Sequence, residues 1–139
     1  MRVVLDTNVF VSALIAPAGT PARLIRAWFG KRFLLVSHDR QLDELRKVTR
    51  REKVRRLITP AEAGRLVNDI MLVAEIPDAL PAVERSPDPG DDFLLALCEA
   101  GAADRLVTGD KAGLLALKKH GATRIVTAAA LSLELGLDD

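Results

Sequence analysis

With 139 residues, 49% of them apolar, the chain is long enough to form one domain that buries about 68% of its unfolded surface. A net charge of +1 excludes a molecule whose partners are chosen by overall charge. Aromatic content of 4%, no tyrosine and a single cysteine, Cys98, exclude an intramolecular disulfide and call for an aliphatic core of the kind α/β proteins bury.

In chain order, Arg2 to Leu5 reads as a short buried strand that runs into the polar cluster Asp6, Thr7 and Asn8. Val9 to Ile15 predicts a short helix. "APAGTP" is a loop in which Thr20 is placed to cap a helix with Pro21 at its first position, and Gly30 ends that helix. "FLLVS", Phe33 to Ser37, is the second strand. A helix follows over His38 to Thr49, with Leu42, Leu45 and Val48 as its apolar stripe. Arg50 to Leu57 predicts a further helical turn. Thr59, Pro60 and Glu62 form a capping box that opens a helix running to about Val73. The stretch from Ala74 to Asp92 is mostly loop, with a weak strand near Ala82 to Glu84. Asp91 to Ala100 is helical, and Cys98 in "FLLALCEA" reads as a small core hydrophobe. "RLVTGD" is a strand entering a turn, Gly113 to Lys119 a short helix, "TRIVTA" the last strand and Ala128 to Leu135 the last helix. Alternation of strands and helices with long crossovers predicts a parallel sheet covered on both faces.

Four acids gain meaning from that order. In open parallel sheets the functional crevice lies beyond the carboxyl ends of the strands, where the strand order reverses. Asp6 stands at the carboxyl end of strand one and Asp110 just past "RLVT". Glu44 lies at the edge of the apolar stripe on the helix after strand two, and Asp92 starts the helix before "RLVTGD". Converging carboxylates repel and raise one another's pKa. A hard divalent cation, Mg²⁺ or Mn²⁺, resolves that repulsion, and no Cys/His cluster points to zinc. Thr7, Asn8, Ser37 and Thr108 supply small polar groups able to orient carboxylates and water. Such a cluster suits phosphodiester hydrolysis.

The stretches "VVLDTNVFVSAL", "LVSHDRQLDEL", "DPGDDFLLALCEAGAADRLVTGDKAGLLAL" and "RIVTAAAL" together resemble the PIN-domain family, in particular the bacterial VapC-like toxins of toxin–antitoxin pairs. The resemblance spans about residues 2 to 131. It implies a three-layer α/β/α, Rossmann-like fold with a central parallel sheet of four to five strands, as one domain over residues 1–139. It implies a Mg²⁺- or Mn²⁺-dependent endoribonuclease, with Asp6, Glu44, Asp92 and Asp110 as metal-binding and catalytic acids. By the same resemblance Asn8, Ser37 and Thr108 are supporting positions, the chain is a homodimer, and its partners are RNA and a cognate antitoxin. Two departures stand out. "GDKAGLL" has Ala112 and Gly113 where relatives often carry a further acid, and "DPGDD" leaves Asp88, Asp91 and Asp92 in competition. Register favours Asp92.

Each feature has a structural alternative. Asp6 can cap the next helix, Glu44 can be solvated, and Asp92 and Asp110 can serve a helix N-terminus or a turn. The run Arg46 to Arg56, "RKVTRREKVRR", is either a solvated face or a contact for RNA phosphates or an acidic partner; Arg46, Lys47, Arg50 and Arg51 lead it. Two rival functions remain: a PIN-like binding or assembly module, and an aspartyl-phosphate phosphatase or receiver-like domain. The phosphatase pattern requires a second aspartate where Asn8 stands. No apolar run reaches the length of a membrane span, and an acid at position 6 precludes a signal peptide, so a cytoplasmic location without membrane contact is expected.

Overall fold

Aliphatic and β-branched residues pair in Arg2–Leu5 (β1), Leu34–Val36 (β2), Arg105–Val107 (β3) and Thr123–Val126 (β5), the parallel strands of a five-stranded sheet. The computed structural model describes residues 1–137; the last two residues of the expected domain fall outside them. The sheet order is β2-β1-β3-β5-β4, with Lys119–His120 (β4) antiparallel to β5. The sheet is therefore mixed, and only its β4 edge departs from the parallel arrangement expected.

Side chains alternate along β1. Val3 and Leu5 join one buried cluster and Val4 joins the other, as a period of two requires. The first cluster packs under Thr7–Ile15 (α1), Thr20–Phe29 (α2), Asp39–Thr49 (α3), Pro60–Val73 (α5) and Ala128–Glu134 (α8). The second packs under Asp92–Ala100 (α6) and Leu114–Leu117 (α7). This is a three-layer α/β/α fold. Trp28 is buried and stacks on Phe29 with ring centroids 4.8 Å apart. Cys98 is buried, and desolvation pushes its thiol up to about 12, so it behaves as a hydrophobe. Among the described residues no single helix is long and apolar enough to cross a membrane. The pair α1 and α2 has the apolar length together but bends by 103°, and both bury their apolar faces in the core.

Several boundaries differ from the sequence reading. Gly19 rather than Thr20 caps α2, which puts Pro21 at the second helical position. The turn after α3 contracts to Glu52–Arg55 (α4). The helix expected over Gly113 to Lys119 stops at Leu117, because Lys118 turns into the left-handed region at φ 64°. The chain then runs into β4, and the Lys118 carbonyl accepts from Ile125 N–H at 2.9 Å. Residues Ala82 to Glu84 form no strand. Instead Glu75 makes a single parallel bridge to Val36, and Pro77, which lacks an N–H, follows too soon for the ladder to extend. The capping box at Thr59 and Glu62 forms as read, with Glu62 N–H donating to Thr59 Oγ1 at 3.1 Å.

Candidate active site

The strand order reverses between β1 and β3, which are neighbours. Asp6 follows β1 directly and caps α1, its Oδ1 facing the Asn8 N–H at 3.5 Å. Thr108, one residue past β3 and buried, donates its hydroxyl to Asp6 Oδ2 at 2.8 Å. The same hydroxyl oxygen accepts from Asp110 N–H at 3.2 Å. One threonine thus ties together both strand-end acids. Burial pushes the Asp6 carboxyl up; the Thr108 and Asn8 hydrogen bonds oppose that, and Asp110 adds to it.

Asp110 is held from the other side by Gly113 N–H, which donates to Oδ1 at 3.1 Å. A Cβ on Gly113 would lie 2.1 Å from Asp110 Oδ2, so only glycine fits against this carboxylate. The residue that looked like a departure from the family pattern is thereby a support for Asp110.

The three aspartates of the loop before α6, of which Asp92 was the expected site acid, are engaged differently. Asp92 turns its Oδ1 to the backbone N–H groups of Arg85, at 3.1 Å, and Ser86, at 2.7 Å. Asp88 caps the 3₁₀ turn Pro89–Asp91 by accepting from Gly90 N–H at 3.0 Å. The Asp91 N–H donates to the Asp88 carbonyl at 3.0 Å, and the Asp91 carboxyl is left without a hydrogen bond to any described residue. Its carboxyl is pushed up to about 6 by burial first, then by the charges of Asp6, Asp88, Asp110 and Glu44. Asp91, rather than Asp92, is therefore the residue of this loop that shares an electrostatic environment with Asp6, Asp110 and Glu44. The signal available in the sequence was Asp-Pro-Gly: reading Asp88 as the turn cap moves the free acid one position back. Arg85 fastens the loop, with Nη1 at 2.8 Å from the Lys119 carbonyl and from His120 Nδ1.

Among the supporting residues, Ser37 faces inward. Its hydroxyl donates to Gln41 Oε1 at 2.6 Å, and Gln41 Nε2 donates to the Leu5 carbonyl at 2.5 Å. Ser37 and Gln41 are fully buried. This network pins the start of α3 to the end of β1, beside Asp6 and one turn ahead of Glu44. Gln41 was hidden in the sequence because it reads as a surface residue of an amphipathic helix. The Thr7 hydroxyl is buried and has no hydrogen-bond partner among the described residues. Asn8 is exposed and, with Ser12, Thr108, Gly109 and Thr127, lines a pocket of about 270 Å³ that no charged side chain enters.

The basic run divides. Lys47 sits one turn beyond Glu44, on its side of α3. Arg46 and Arg50 line a groove against α5, and Arg51 caps α4 through its backbone.

A family model described as a PIN domain matches residues 2–112. The chain belongs to the PIN-domain family. PIN domains are generally nucleases, and in this PIN domain Asp6 and Asp110 follow the carboxyl ends of two neighbouring parallel strands. No curated protein and no solved structure matches the chain. The donor set consists of carboxylates, the ligands of a hard cation, and after burial the charges of Asp6, Asp88, Asp110 and Glu44 add to the upward shift of Asp91, a repulsion that a cation would relieve. Among the described residues no three His, Cys, Asp or Glu side chains close on one point as they stand. A small ion that keeps several of its waters fits such an open arrangement better than one requiring a complete protein cage.

Proposed function

We propose that this PIN domain is a metal-dependent endoribonuclease, that its acids are Asp6, Glu44, Asp91 and Asp110, and that it acts as the toxin of a toxin–antitoxin pair. The carrying observation is the Thr108 hydroxyl that joins Asp6 to the Asp110 backbone at the β1/β3 switch point, with Asp91 near enough for the charges of Asp6, Asp110 and Glu44 to add to its upward shift. These acids would hold Mg²⁺ or Mn²⁺, which would supply charge neutralisation at a scissile phosphate. The residues of the chain do the rest. Thr108 keeps the Asp6 carboxylate in place and presents the Asp110 backbone beside it. Gly113 N–H fixes the rotamer of Asp110. Asp91, whose carboxyl makes no hydrogen bond among the described residues, is free to turn toward a cation or its bound water. Lys47, on the Glu44 side of α3, is placed for a neighbouring phosphate. The uncharged pocket beside Asn8 and Thr108 suits the base or ribose of the nucleotide next to the cleaved bond.

End-labelled single-stranded RNA incubated with the purified chain in EDTA, Mg²⁺ or Mn²⁺ tests this reading. Cleavage is expected with metal only and is lost in Asp6→Asn, which keeps the fold. Cleavage in EDTA, or cleavage retained by Asp6→Asn, sinks it. A chain that neither cleaves RNA nor rises in melting temperature with metal would instead be a binding module.

A further inference from the structure

Away from the acids, α3, α4 and α5 enclose a groove of about 290 Å³ lined by Arg46, Arg50, Arg55, Gly64, Val67 and Asn68. Arg46 is engaged at 3.0 Å by Asp43 Oδ1 and reaches the Met71 sulfur at 3.5 Å. The Arg50 and Arg55 side chains make no ion pair or hydrogen bond among the described residues. Three guanidiniums around one concavity repel each other, and an anion among them reverses that repulsion.

Two further features bear on what the anion belongs to. Gly64 stands inside α5, where glycine is the poorest helix former after proline. A Cβ there would meet nothing within 4 Å. Packing within the chain does not require the glycine, and its effect is to leave the groove floor open. Leu57, Met71 and Leu72, on the same α4–α5 stretch, are 61%, 49% and 83% exposed. Exposed apolar side chains on the stretch that carries the arginines, with Met71 in contact with Arg46, complement a protein segment that carries both carboxylates and apolar side chains.

An RNA strand fits less well. At about 100° per residue, Arg46 lies ~200° and Arg50 ~240° around α3 from Glu44. The shorter way round is ~160° and ~120° across the exposed face of α3, so a strand seated on the acids would have to cross that face to reach the groove. No aromatic ring lines the groove to stack a base.

We propose that the α3–α5 groove docks an acidic, leucine-bearing segment of a partner protein, with its carboxylates among Arg46, Arg50 and Arg55 and its apolar side chains on Leu57, Met71 and Leu72. The probe is a fluorescein-labelled helical peptide with glutamates and leucines along one face. Its anisotropy is followed against the full chain in EDTA, beside a glutamine version of the peptide and a labelled oligouridylate. Binding is expected to weaken with salt. It should fall about tenfold or more for the glutamine peptide, for Arg50→Ser/Arg55→Ser and for Gly64→Leu. Gly64→Leu fills the groove while improving helix propensity, so its melting temperature should hold or rise and its loss of binding is not loss of fold. No peptide binding, or equal binding by Gly64→Leu, overturns the proposal. Oligouridylate binding that drops in Gly64→Leu also overturns it, because the groove would then belong to RNA. RNA cleavage by the same proteins separates this proposal from the nuclease reading: Gly64→Leu should cleave as the wild type does, whatever the peptide result.

Discussion

Asp91→Asn is expected to stabilise the metal-free protein at neutral pH. Raising a carboxyl from 3.8 to about 6 corresponds to about 3 kcal/mol between the two protonation states. Asp91 is only half-buried, and solvent screening brings that down to about 1 kcal/mol. The sign follows from proton counts. Between the ordinary carboxylate range and about 6, the folded chain holds a proton on Asp91 that the unfolded chain has released. Stability therefore falls as pH rises through that window, and the full penalty is present above it. Asparagine removes the charge. In EDTA near neutral pH the variant should melt about 3 °C higher, and at a pH below the window the gain should vanish. Mg²⁺ should raise the melting temperature of the wild type and raise that of the variant less. Thermal melts by circular dichroism across pH, with and without metal, measure all of this. A variant less stable than wild type in EDTA, or a gain that does not change with pH, would refute the electrostatic account of Asp91.

Gln41→Leu removes the link between Ser37 and the Leu5 carbonyl and leaves buried polar groups without partners. Urea unfolding should show a loss of about 1–3 kcal/mol, and no loss would show that the network does not hold α3 to β1. Gly113→Ala places a methyl 2.1 Å from the present position of Asp110 Oδ2; metal stabilisation and RNA cleavage should fall roughly 10–100-fold while far-UV circular dichroism is unchanged. Wild-type metal affinity in Gly113→Ala would mean that the Asp110 carboxylate acts from another rotamer.

The strands and long helices were legible because their signals are local and redundant. The capping box at Thr59, the apolar stripe Leu42, Leu45 and Val48, and the aliphatic run into Asp6 each specify an element without knowledge of the rest. The pairing of Asp6 with Thr108 was legible for a topological reason: both lie at carboxyl ends of adjacent parallel strands. What escaped depends on one-residue register or on a backbone angle. Asp91 and Asp92 differ by a single position, and the choice rests on whether the Asp88 turn spans three residues. The β4 edge depends on the left-handed conformation of Lys118, a residue with no turn propensity of its own. Gln41 is polar and helical, and only the depth of the α3 N-terminus shows that it is buried.

The same distinction of single positions separates the two enzymatic readings. An aspartyl-phosphate enzyme needs a second carboxyl two residues after its nucleophile to deliver a proton to the leaving group. That position is Asn8, whose amide has no proton to transfer at physiological pH. Its backbone N–H faces Asp6 Oδ1 instead, while Oδ2 takes the Thr108 hydroxyl. The carboxyl whose value approaches neutrality is Asp91, supplied by a different segment and raised first by burial and then by the acids around it. The aspartyl-phosphate reading therefore lacks an acid at the position its pattern requires, and Asp6 is held instead between the Asn8 N–H and the Thr108 hydroxyl.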